Sequence, residues 1–458
     1  MTTNRREFLR KTAIAIAALP IADPRFAHAE ALYAASRRNA QTVTTQEQTP
    51  ASPPTAAPGD TSIRPFSYSA SDAALADLRQ RIGATRFPSK ELVGDPSQGV
   101  QLETMQELMR YWGTEYDWRT VEAKLNALPQ FMTNIDGLDV HFIHVKSPHP
   151  NALPLIVTHG WPGSVMEMLE IIGPLTDPTA HGGSADDAFH LVLPSMPGYG
   201  FSAQPLELGA NPGRVALMWA ELRRRLGYTR YVAQGGDQGA LVTDAMGRVA
   251  PDGLLGIHLN LLTGFPPAIA ASLLGGAPVP EGLSDQERTA LSKATVVFRR
   301  GYIAEMGEHP QTIGYSMADS PAGLAAWMLD HDGDSYDKIA HALLDGRVSG
   351  DLTRERIVDN LTLYWLTNTA TSAARLYWEG GRSAVAAATS GQKPPELSVP
   401  VGFTVFPGEI FQAPRSWVEA VYPKLIYFNE AEKGGHFAAW EEPDVFSQEL
   451  RAAFRSLR

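Results

Sequence analysis

The hexapeptide Gly235-Gly236-Asp237-Gln238-Gly239-Ala240 lies between an apolar run, Arg230 to Ala233, and a helix-like stretch, Ala240 to Val249. Small residues around one larger polar residue at such a junction answer a steric demand. The backbone reverses so sharply from strand to helix that a Cβ on either side would collide with one or the other. Such a turn lifts the residue at its tip clear of the strand and presents it as a nucleophile. Here the tip is a carboxylate, Asp237. The helix dipole and the free amides of the first turn favour its ionised form. A carboxylate attacks carbon and leaves an alkyl ester, where a serine would leave an acyl-enzyme. An aspartate that only caps a helix is the plainer reading, but a cap does not require small residues on both flanks.

The surrounding pattern supplies the sheet that such a turn needs. Val140 to Val145 alternates, and Leu153 to Thr158, Phe189 to Leu193, Arg230 to Ala233 and Leu254 to Leu259 are short apolar runs separated by helix-like segments. This order predicts a mostly parallel central sheet with helices on both faces. From about Thr263 to Gly381 the strand signal vanishes, and Ser284 to Glu305 and Arg354 to Trp378 read as helices. That stretch is expected to be a helical lid inserted over the site. Strand signals return at Val399 to Phe406 and Leu425 to Asn429, so core segments 132–262 and 382–458 flank a lid at 263–381. The whole is an α/β-hydrolase fold. Ahead of it, residues 63–131 form a small helical N-terminal module: Asp72 to Ile82 with Ser71 as N-cap, Leu102 to Trp112, and Trp118 to Leu128.

Residues 1–29 read as an export signal, with the twin-arginine string Arg5-Arg6, an apolar stretch from Thr12 to Ala22 and a small-residue cleavage site at Ala27-His28-Ala29. The apolar stretch is too short to span a bilayer. The expected product is soluble, periplasmic or secreted, with no stable membrane anchor after cleavage. Residues 30–62, rich in Ala, Gln, Thr and Pro, read as a flexible linker. A net charge of −11 gives no basic patch for nucleic acid. The absence of cysteine excludes disulfides, thiolate metal sites and cysteine nucleophiles together.

Three further strings complete a site around Asp237. His159-Gly160-Trp161-Pro162-Gly163-Ser164 follows the strand ending at Thr158, where this fold builds half of an oxyanion hole; the donors would be the backbone amides of Trp161 and Gln238. Trp161–Pro162 is a candidate cis peptide, because tight turns are where cis-proline occurs. Gly434-Gly435-His436-Phe437 follows the last apolar strand, the place of the general base that activates water. Glu409 follows the penultimate strand and would orient the imidazole, with Glu430 and Glu432 as nearby competitors. The order Asp237, Glu409, His436 is nucleophile, acid, base. Opening a strained ring also requires a proton donor, which a phenol can be at neutral pH. Tyr302 and Tyr377 lie in the lid, although with 14 tyrosines in the chain either could be packing alone. Asp330-His331-Asp332-Gly333-Asp334 has the glycine misplaced for a calcium loop and His341 at position twelve, and reads as a solvated lid loop. His141 and His144 point to opposite faces of a strand and make poor joint metal ligands.

At these residues the chain resembles the microsomal-type epoxide hydrolases, including the juvenile hormone epoxide hydrolase branch. The likeness spans about residues 63–455 and includes Thr85-Arg86-Phe87-Pro88, Tyr116-Asp117-Trp118-Arg119 and Pro129-Gln130-Phe131 in the N-terminal module. It implies Asp237 as nucleophile, His436 as base, Glu409 as its acid partner, Tyr302 and Tyr377 as the ring-opening acids, and His159 to Ser164 as the oxyanion loop. Met196 to Ser202 is a further shared string with a structural role. Two departures stand out: the family usually has Trp after the nucleophile where this chain has Gln238, and membrane-bound relatives begin with an anchor rather than an export signal. The resemblance implies hydrolysis of a small apolar epoxide by water, with no cofactor and no metal. A haloalkane or haloacid dehalogenase with the same nucleophile, and a non-catalytic carrier of small apolar ligands, are the competing readings.

Overall fold

Alternation along single strands builds this molecule in layers. In the computed structural model, which describes residues 60–298, 301–389 and 395–458, the strand Leu153–Thr158 sends Leu155 and Val157 to one side of a sheet and Ile156 to the other. Leu155 and Val157 join a cluster with Leu175, Phe446 and Leu450, while Ile156 joins one with Trp219, Val242 and Met246. A side-chain period of two thus gives each face its own apolar layer, and helices cover both.

Among the described residues the strands are β1 Arg64–Pro65, β2 Gln130–Ile135, β3 Leu138–Val145, β4 Leu153–Thr158, β5 Phe189–Pro194, β6 Tyr231–Gly235, β7 Leu254–Leu259, β8 Val401–Val405 and β9 Leu425–Glu430. They form one sheet in the order β1-β2-β3-β5-β4-β6-β7-β8-β9. The first three strands and the β3–β5 pair are antiparallel, and every pair from β5 through β9 is parallel. This is the α/β-hydrolase fold. β4 lies between β5 and β6, so the chain leaves it in one direction and returns on its other side. The crevice at the carboxyl ends of β4 and β6 is therefore the switch point where such sheets bind ligands.

Between β7 and β8 the described segments are helical, from Pro267–Gly275 to Ala370–Thr389, apart from connecting turns and one short bridge, Ser349↔Leu352. Two runs expected as single helices are divided. Ser284 to Glu305 covers Asp285–Val297 and the start of Gly301–Glu308, with residues 299 and 300 outside the described ones. Arg354 to Trp378 contains Arg354–Thr367 and the start of Ala370–Thr389, separated at Asn368, whose φ of 49° is left-handed. Asparagine tolerates that conformation better than other non-glycine residues, so helical periodicity alone did not reveal the break.

The helices Asp72–Gly83, Leu102–Thr114 and Trp118–Ala127 stand where the pattern put them, with Ser71 Oγ accepting from the Ala74 amide at 3.1 Å. Gln130 to Ile135, placed at the junction of module and core, is a full strand paired with β3. The export signal and nearly all of the linker lie outside the described residues. Among the described residues no helix is long and apolar enough to cross a membrane.

Candidate active site

Asp237 stands one residue beyond β6, after Gly236, and opens the helix Asp237–Val249 with φ 47°, a conformation that non-glycine residues seldom adopt. The flanking glycines make it attainable. A Cβ on Gly235 would lie 2.1 Å from the Gly239 carbonyl oxygen, and one on Gly239 would lie 2.0 Å from that of Thr158. From the loop after β4, the Trp161 amide donates to Asp237 Oδ1 at 2.7 Å, and the Trp161–Pro162 peptide is cis. Gly160 must be glycine for that approach, since a Cβ there would sit 2.3 Å from the same oxygen. The amide of Gln238 belongs to the first helical turn, which has no carbonyl of its own to bond. Of the two expected oxyanion donors, the Trp161 amide already holds the carboxylate, and that of Gln238 follows Asp237 in the chain.

A β-bridge between Gly408 and Gly435, closed by the Gly408 amide on the Gly434 carbonyl at 3.0 Å, stitches together the loops after β8 and β9. Their next residues, Glu409 and His436, are therefore side by side. His436 Nδ1 donates to Glu409 Oε1, and its Nε2 faces Asp237 Oδ2 at 3.5 Å. Glu409 Oε1 also takes the Ile410 amide at 2.9 Å, and Oε2 takes Asn260 Nδ2 at 3.3 Å. Burial opposes the charged imidazole, but the Glu409 and Asp237 carboxylates outweigh it and hold His436 well above its ordinary pKa. Burial likewise works against the Asp237 charge; hydrogen bonding and charge from His436, with help from the Trp161 amide, win and lower it.

The two tyrosines come from helices inserted between β7 and β8. The Tyr302 and Tyr377 rings meet edge to face at 6.2 Å. The Tyr377 hydroxyl is shielded from solvent, and burial, then the Asp237 charge, push its phenol well above 10 against a smaller pull from the Gln238 side chain. Tyr302 is buried, with its hydroxyl 3.1 Å from His331 Nε2. All seven residues singled out from the sequence converge on one point: Asp237, His436, Glu409, Tyr302, Tyr377, Trp161 and Gln238.

Epoxide hydrolase sequences and structures share this architecture. The family model for the epoxide hydrolase N terminus matches residues 63–168. Epoxide hydrolase 1 of Sus scrofa is 35% identical over 413 residues, which span 88% of this chain and 90% of that one. The chain belongs to the epoxide hydrolases. Among solved structures, juvenile hormone epoxide hydrolase from the silkworm Bombyx mori is similar with a TM-score of 0.75 at 32% identity, covering 87% of this chain and 95% of that one. Aspergillus niger epoxide hydrolase gives a TM-score of 0.72 at 31% identity, covering 87% and 97%.

The string Asp330 to Asp334 is not the solvated loop it was expected to be. Its ends are exposed, but His331 and Asp332 are 2% and 5% exposed and face the site. His331 Nδ1 bonds Asp332 Oδ2 at 2.9 Å, and the His331 ring stacks on His436 with centroids 4.6 Å apart. Potential ligand atoms of Asp237, His331 and His436 lie within 4.8 Å of one another. Both imidazoles commit Nδ1 to a carboxylate, however, and His331 Nε2 meets Tyr302, an arrangement for exchanging protons. Glu167, Gln234 and Asn260 also went unremarked in the sequence. With Gly160, Asp237 and His436 they line a cavity of about 20 Å³ beside the nucleophile. Of its polar lining residues, Gln234 has its Oε1 buried without a hydrogen-bond partner.

Proposed function

We propose that this enzyme hydrolyses small apolar epoxides to vicinal diols in two steps through an ester on Asp237. Asp237 Oδ2 attacks a ring carbon while Oδ1 stays on the Trp161 amide, and the ring oxygen takes a proton from a lid tyrosine as its bond to carbon breaks. Esterification removes the Asp237 charge, one of the two anions that keep His436 protonated, so the imidazolium releases its proton, which makes good the one the tyrosine gave, and the neutral ring can then accept a proton from water. That water adds to Cγ of Asp237. The resulting oxyanion is held by the Trp161 and Gln238 amides, and collapse releases the diol and restores the carboxylate. The one observation that carries this reading is the line Glu409–His436–Asp237 beneath two tyrosine hydroxyls. Phenols serve an oxygen leaving group, whereas a halide needs no proton, which favours epoxide over haloalkane.

The cavity beside Asp237 is the seat of the attacking water in this proposal. About 10–15 Å³ of such space admits one water molecule, which needs two to four polar partners. Glu167, Gln234 and His436 are those partners.

Single turnover in heavy-oxygen water tests the mechanism. The first diol should carry unlabelled oxygen from Asp237, with label entering the enzyme; solvent label in the first diol would overturn the covalent route. Export through the twin-arginine pathway is part of the same proposal, supported by Arg5-Arg6 and Ala27-His28-Ala29. Replacing both arginines with lysine should retain the protein in the producing cell, and unchanged export would refute it.

A further inference from the structure

Two tyrosines are available to protonate the ring oxygen, and the structure equips them unequally. Behind Tyr302 stands a second histidine–carboxylate pair. Asp332 uses both oxygens as acceptors, Oδ1 from the Ser335 amide at 2.8 Å and Oδ2 from His331 Nδ1 at 2.9 Å. Acceptance at both oxygens suits an ionised carboxylate. Although burial resists that charge, hydrogen bonding and charge from His331 hold the Asp332 carboxyl far below the usual range. With Nδ1–H fixed on Asp332, His331 Nε2 can face the Tyr302 oxygen in two ways. A neutral ring accepts the phenol proton and turns it away from the substrate. A charged ring donates to the phenol oxygen and leaves the phenol proton free to reach the epoxide.

We propose that the His331–Asp332 pair supplies the ring-opening proton through Tyr302, making Tyr302 the principal acid and Tyr377 the secondary one. This rests on the ester mechanism above and deepens it. As Asp237 Oδ2 bonds to carbon and the ring C–O bond breaks, Tyr302 gives its proton to the ring oxygen and His331 Nε2 gives its proton to Tyr302. The products are the ester, a neutral hydroxyl, an intact phenol and a neutral His331. His436 must then lose one proton to act as base, while His331 must regain one, so the two requirements cancel within the site. Hydrolysis returns a proton to His436 and closes the cycle. The groups facing His331 are Asp332 beside it, Tyr302 at its Nε2, His436 tilted against it, and Asp237 within 4.8 Å. His331 is a positioning and proton-supplying residue; it acts on substrate only through Tyr302.

The test is rapid-quench and intact-mass kinetics with styrene oxide, measuring ester formation and ester hydrolysis separately. His331→Phe keeps a ring against His436. It should slow ester formation by about 10²-fold, the scale of losing a general acid, while hydrolysis changes by less than about 3-fold. His331→Gln, which restores a donor to the phenol oxygen but no exchangeable charge, should recover part of the loss. Tyr302→Phe should cost more in ester formation than Tyr377→Phe. Wild-type ester formation in His331→Phe, or equal slowing of both steps, would overturn the proposal. Should that variant not fold, the glutamine variant is read for the same split. Absence of any ester in a wild type that makes diol would instead overturn the mechanism beneath it.

Discussion

His436 Nε2 lies 3.5 Å from Asp237 Oδ2, so the base and the nucleophile form an ion pair before any substrate is bound. The raised pKa of His436 is partly a property of its partner's charge. Asp237→Asn should therefore lower the His436 pKa, read by NMR titration of the imidazole, and reduce activity by at least about 10⁴-fold. An unchanged titration would mean that Asp237 does not govern the base.

The same pair sets a direction for stability against pH. His436 titrates higher folded than unfolded, so its contribution is complete below about pH 6.5 and declines as pH rises through the folded value. Asp237 titrates lower folded than unfolded, so its contribution is present above about pH 3.9 and lost as pH falls through its folded value. Thermal melting of the wild type should lose stability toward alkaline pH, and Asp237→Asn should flatten that decline. A variant with an equally steep decline would contradict the assignment.

His436→Gln should stop the cycle at the ester. Intact-mass spectrometry after mixing with a substrate epoxide should show one adduct of the epoxide's mass. No adduct on a variant that still consumes one equivalent would remove His436 from the hydrolytic step.

Glu167 gives a separate handle on the water. Burial pushes its carboxyl up to about 8, so at neutral pH it is mainly protonated and can both donate and accept. Glu167→Gln, a neutral mimic, should retain most of the hydrolytic rate, whereas Glu167→Leu should slow it by about 10²-fold with ester formation spared. A leucine variant that hydrolyses its ester normally would empty the cavity of its proposed role.

Gly239→Ala probes the elbow. Its new Cβ would sit 2.0 Å from the Thr158 carbonyl oxygen and 2.7 Å from that of His159, neither of which can retreat as a flexible side chain could. The expected cost exceeds about 3 kcal/mol, visible as a large fall in melting temperature. A melt within a few degrees of wild type would show that the bend is softer than its contacts imply.

What could be read from the chain was whatever local sterics dictate. The elbow glycines, the strand ends and the order of acid and base are all short-range facts, and each places its side chain through the backbone alone. His331 escaped because its partners are mixed in range. Asp330 and Asp334 beside it are exposed and give the string a solvated look, while Tyr302 and His436 reach it only once the fold has closed. Glu167 and Gln234 sit in segments that read as ordinary helix and strand, with no pattern to announce a shared cavity. The strand β2 was missed for a related reason: its pairing with β3 is a tertiary fact, and its polar residues weaken the apolar signal.

The N-terminal module bonds directly to inserted helices, and one of these, Pro310–Asp319, packs against both helices that carry Tyr302 and Tyr377. Trp112 Nε1 donates to Thr362 Oγ1 at 2.8 Å, Tyr116 to Asp359 at 2.6 Å, the Tyr336 hydroxyl meets Thr104 Oγ1 at 3.1 Å, and Arg81 reaches Asp319. The segment before the catalytic core is thus a buttress for the ceiling of the reaction chamber. Shortening it would loosen the overhead acids relative to the floor they serve, so an enzyme cut down to its core would still own every reacting group and yet no longer hold them in register.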